Sequence, residues 1–69
     1  MNTRTINYVQ DILQRFVDGD IEKFDAYGLV FDQMDARRIT LTKICEIAES
    51  VGLKGSVVRM RRWQFLGMR

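Results

Sequence analysis

Ile44-Cys45-Glu46-Ile47-Ala48-Glu49-Ser50-Val51-Gly52-Leu53-Lys54-Gly55-Ser56-Val57-Val58 is the stretch from which the architecture of this chain can be read. Leu41, Ile44, Ile47, Ala48 and Val51 recur at helical spacing, with Glu46, Glu49 and Ser50 on the opposite side. Gly52 then supplies a residue that tolerates the positive φ of a helix stop. Apolar residues resume at Leu53 and Val58, and Ser56 is of the type that caps a helix start. Ala48 is small enough to let a second helix cross closely. Ile47, Val51, Leu53 and Val58 would close the core between the two. The spacing predicts two short helices joined by a tight turn.

Working outward, the N-terminal half repeats the helical pattern twice. From about Thr3 to Val17, the residues Ile6, Val9, Ile12, Leu13, Phe16 and Val17 share one side of a helical wheel. Asp18-Gly19-Asp20 breaks that helix. A second is expected from about Ile21 to Asp35, with Phe24, Tyr27, Val30, Phe31 and Met34 on one face. The segment Ile39-Thr40-Leu41-Thr42 alternates like a short extended piece, and Thr40 or Thr42 can cap the helix that follows. At the other end, Val57, Met60 and Trp63 form one apolar arc while Val58 and Phe65 point nearly opposite. That conflict predicts a short last helix ending near Arg62, with residues 63–66 continuing as an extended segment. The other resolution docks Trp63, Phe65 or Leu66 onto a second protein. Taken as part of the fold, Trp63 is expected to fill a thin core. The expected fold class is all-α, a small bundle of about four short helices in one domain spanning residues 1–69.

Composition excludes several functions. Sixty-nine residues with 46% apolar and 29% charged side chains make a globular chain with a small core. Histidine is absent and cysteine occurs once, at Cys45. The commonest general base, the usual nucleophile–histidine pairs and His- or Cys-rich metal sets are therefore missing. No catalytic residue, metal site or cofactor is expected, and the chain reads as a binding protein, not an enzyme. Cys45 reads as a small core residue in a reducing compartment. No apolar run is long enough to span a membrane. These features suggest a cytoplasmic protein.

Charge is divided sharply. Residues 1–35 carry three basic side chains against seven acidic ones, net −4. Residues 36–69 carry eight basic side chains against Glu46 and Glu49, net +6, and no acidic residue follows Glu49. An acidic half joined to a basic half suggests a cationic surface for an anionic partner.

The stretch Ile44–Val58 resembles a helix-turn-helix, and Arg37-Arg38-Ile39-Thr40-Leu41-Thr42 looks like the short strand leading into that unit in winged-helix DNA-binding domains. The likeness covers about residues 39–66. It departs from the pattern at Arg61, where an apolar residue is wanted, and no basic hairpin follows. The resemblance implies a second helix in the major groove of double-stranded DNA, with Lys54, Ser56, Arg59, Arg61 and Arg62 as the contact set. Arg37 and Arg38 are candidate phosphate contacts. A homodimer is expected, since a small core gains from self-association and a two-fold site would receive the basic helix twice. Ile6, Val9, Leu13, Phe16, Trp63 and Phe65 are the candidate dimer or partner face. A second reading is a small phage- or plasmid-type modulator, such as an antirepressor, an inhibitor or an antitoxin-like factor, which binds a repressor or other host regulator.

Overall fold

Helix α1 spans Thr3–Val17, α2 Lys23–Asp35, α3 Leu41–Ser50 and α4 Gly55–Gly67 in a computed structural model that describes residues 2–67, with side chains through residue 64. No strand occurs among the described residues. The chain is an all-helical bundle in which α1 packs on α2 and α3, while α4 packs on α3 and α2. None of these helices is long and apolar enough to cross a membrane.

The helix starts follow from side-chain chemistry. Asn2 has an extended backbone, and its Oδ1 accepts from the Arg4 N–H at 2.9 Å. Thr40 does the same for α3, accepting from the Lys43 N–H at 3.2 Å. Thr40, not Thr42, is therefore the cap, and Leu41 and Thr42 are already helical. The extended Ile-Thr-Leu-Thr piece expected from alternation is absent. Its alternation is that of a cap followed by the first turn of a helix whose Ile44 and Ile47 are buried.

The first three helices stop by one device. After α1, Gly19 has φ 85 and its neighbour Asp20 donates back to the Arg15 carbonyl at 2.9 Å. After α3, Gly52 has φ 97 and Leu53 donates to the Ala48 carbonyl at 2.9 Å. After α2, the same geometry recurs with Arg38 donating to the Gln33 carbonyl at 3.0 Å, but the left-handed residue is Arg37, with φ 61. A side chain in that conformation costs roughly 1 kcal/mol relative to glycine. Arg37 thus occupies a glycine position at a conformational cost.

The core is drawn from all four helices. Val9, Leu13, Ala26, Val30, Ile44, Ala48 and Val58 are fully buried, with Tyr27 and Phe31 nearly so. Phe16 meets the Tyr27 ring edge-on at 5.5 Å, and Tyr27 stacks on Phe31 at 5.7 Å. Two expectations are corrected here. The α1 stripe anticipated as a dimer face is spent inside the chain: Val9 and Leu13 are fully buried, and Ile6 and Phe16 pack against the core. Trp63, expected to fill the core, is 76% exposed. Tyr27 and Phe31 from α2 supply the aromatic volume instead.

The turn from α3 to α4 occupies residues 51–54. Val57 and Val58 both donate to the Lys54 carbonyl, at 3.1 and 3.2 Å, so Lys54 opens α4 and Ser56 lies one step inside its first turn. At Gly55 the start of α4 comes close to α3. A Cβ there would lie 2.9 Å from Glu49 Oε1 and 3.5 Å from Cys45 Cβ. The last helix does not end near Arg62 but runs on to Gly67.

Candidate functional site

The residues expected to contact nucleic acid are divided between two roles. Lys54 and Ser56 are exposed at the start of α4, and Arg59 is exposed one turn later. Met60, Trp63 and Gln64 share that outward side. Arg61 and Arg62 do not: both are half-buried and turn toward α2. Arg62 Nη2 donates to Asp35 Oδ1 at 2.7 Å, and its guanidinium lies 5.5 Å from the centre of the Phe31 ring. Arg61 Nη1 donates to Gln64 Oε1 at 2.7 Å. Its charge acts on Tyr27, whose hydroxyl is pushed above its ordinary range mainly by burial, with Arg61 pulling the other way. Arg62 therefore ties α4 to α2, and the partial burial of both Arg61 and Arg62 corrects the expectation that they belong to the exposed cationic set. The physical reason is helical phase. With Val58 facing the core, Arg62 four residues later lands beside it, and its long aliphatic stem lets the charged head reach Asp35.

At this junction Tyr27 Oη, Arg61 Nε and Arg62 Nη1 are buried without a hydrogen-bond partner among the described residues. The polar groups of α4 are thus only partly satisfied by α2. Asp35, which makes the Arg62 link, carries no signal in the local pattern, because the pair is 27 residues apart.

Arg37 and Arg38, the candidate phosphate contacts, are both exposed in the connection between α2 and α3. They line an open cleft together with Arg4, which sequence reasoning did not single out. Phe65 lies outside the residues whose side chains are described.

Cys45 is buried, and its Sγ–H points to the Gly55 carbonyl at 3.7 Å. Burial pushes its thiol above the ordinary value, Arg59 draws it down less strongly, and Glu49 adds a smaller upward push. A raised value in the fold means that the unfolded chain loses this proton first. Stability is then fully present below the ordinary thiol range and declines as pH climbs past about 9. A urea titration series from pH 7 to 10 should show that decline, and Cys45→Ala should lessen it. An unchanged slope in the variant would assign the decline to other groups. Among the described residues, no group of three or more His, Cys, Asp or Glu side chains converges as a metal site would require.

No family model matches the chain, and neither a curated protein nor a solved structure matches it at a significant level.

Proposed function

We propose that this chain is a small DNA-binding regulator that lays the outward side of α4 against double-stranded DNA. The observation that carries the reading is the chemistry of that side. Lys54, Ser56, Arg59 and Gln64 are exposed there, and no acidic residue follows Glu49 in the sequence. Hydroxyl, amide and guanidinium groups are the types that bond to base edges and phosphates. The tight turn at Gly52 and the close approach at Gly55 seat α4 against α3. In this reading the protein works in the cytoplasm as a homodimer, offering α4 twice to a two-fold site. It binds and does not catalyse.

The test is titration with duplex DNA at two salt concentrations. Each phosphate neutralised contributes a slope of about −0.9 to the log–log plot. Replacing Lys54 and Arg59 together by Ala should weaken binding at least about tenfold and flatten that slope by roughly 0.9 for each phosphate that is no longer neutralised. Wild-type protein that does not bind at low salt would end the reading.

A second reading is favoured by one observation. Met60 and Trp63, one turn apart on α4, are 52% and 76% exposed. Tryptophan, methionine and arginine are enriched at protein interface centres. A modulator that binds a repressor or other host regulator through α4 would use this pair, and Trp63→Ala would abolish its complex. Under the DNA reading the same substitution leaves the salt slope unchanged.

A further inference from the structure

An open cleft of about 1150 Å³ lies between the start of α1, the end of α2 and the connection that leads to α3. Arg4, Arg37 and Arg38 line it, and no carboxylate does. None of the three arginines has an ion-pair partner among the described residues; Arg38 Nη1 donates only to the neutral Gln33 Oε1, at 3.2 Å. Three like charges gathered around one concavity repel one another, and an anion seated between them would relieve that repulsion.

Arg37 adds an independent argument. The other two helix ends of the same geometry carry glycine, and among the described residues Arg37 alone places a side chain in the left-handed position. It is exposed, so packing does not call for it. What the arginine adds over glycine at this turn is a guanidinium on the wall of the cleft.

The shape and lining narrow the ligand. Guanidinium groups match phosphate oxygens in pairs of parallel hydrogen bonds. A concave site with apolar walls beside a few polar groups suits a small molecule, whereas the convex outward side of α4 suits a groove. Tyr8 supplies an aromatic wall next to the arginines, and Met34 and Ile39 an apolar one. We propose that this cleft binds a nucleoside phosphate, with Arg4, Arg37 and Arg38 holding the phosphates and Tyr8 facing the base. No residue of α4 lines it, so the inference does not rest on the DNA reading.

The experiment is calorimetric titration of the full chain with adenosine triphosphate and with inorganic pyrophosphate, metal-free and at fixed ionic strength, with sulfate as the control anion. Saturable binding of the nucleotide, tighter than pyrophosphate and absent for sulfate, is expected. Arg37→Gly should bind the nucleotide at least about tenfold more weakly while melting at the same temperature or a few degrees higher, which a merely structural arginine would not do. Arg4→Gln provides a second variant, with the same weakening expected. No saturable binding by the wild type, or unchanged affinity in Arg37→Gly, would overturn the site. Equal affinity for nucleotide and pyrophosphate would overturn the nucleoside assignment. Weakened duplex binding in Arg37→Gly without any nucleotide binding would overturn it as well, and would give these arginines to the DNA backbone.

Discussion

Phe31→Ala should leave the chain largely unfolded at 25 °C, seen as loss of the helical circular-dichroism signal without denaturant. Phe31 is almost fully buried in the middle of α2, stacked on Tyr27 at 5.7 Å and flanked by the Arg62 guanidinium at 5.5 Å. Removing a buried phenyl ring costs about 3–5 kcal/mol, from the forfeited transfer energy plus the cavity left behind. A single core in a chain this short supplies only roughly 3–5 kcal/mol in total. The two quantities are of the same size, so one substitution removes most of the margin. Collapse around the gap is hindered, because Tyr27 on one side is fixed by Phe16 and α4 on the other is held by the Arg62–Asp35 link. A variant that stays fully helical and melts within a few degrees of the parent would show that Phe31 is not central to the core.

The second large effect concerns that link. Asp35→Ala should destabilise the fold by about 1–3 kcal/mol, measured by urea denaturation, because it strands a half-buried guanidinium. Arg62 keeps only 15% of its side chain exposed, and its Nη1 has no hydrogen-bond partner among the described residues. Adding Arg62→Met to the Asp35→Ala variant should recover most of that stability, since an apolar side chain of similar length can lie along the Phe31 ring without a charge to satisfy. Removing one partner of a part-buried pair is costly, whereas replacing both is not. An Asp35→Ala protein as stable as the parent would mean that the pair contributes nothing to holding α4 on α2.

These two cases show where sequence reading succeeds and where it stops. The bounds of α1, Thr3–Val17, follow from periodicity and from the Asp-Gly-Asp break, and the structure has the same bounds. The Gly52 turn and the burial of Ile44, Ile47, Ala48 and Val58 are legible for the same reason: each depends on residues within a few positions of one another. Sequence reading fails at boundaries and at distant pairs. Helix α2 begins at Lys23, not Ile21, because Glu22 still has an extended backbone. The Arg37-to-Thr42 segment misleads because a cap and a first helical turn mimic alternation over four residues. The phase conflict in α4 has a solution that local pattern cannot supply. Asp35, far away in sequence, neutralises Arg62 on the inner side, which leaves Met60 and Trp63 outside. For the candidate site, Lys54, Ser56 and Arg59 remain together at the surface, and Arg61 and Arg62 do not join them. Arg4 enters only because folding brings the start of α1 beside the α2–α3 connection.

The exposure of Trp63 also decides how this protein can be followed in solution. It is the sole indole in the chain, so the intrinsic emission excited at long ultraviolet wavelengths reports on one spot of α4. Already in water when folded, that fluorophore barely changes surroundings on denaturation, and its spectrum is a poor witness to melting. The same circumstance makes it a sensitive one for anything that settles on α4, since shielding from solvent would move the emission to the blue or quench it.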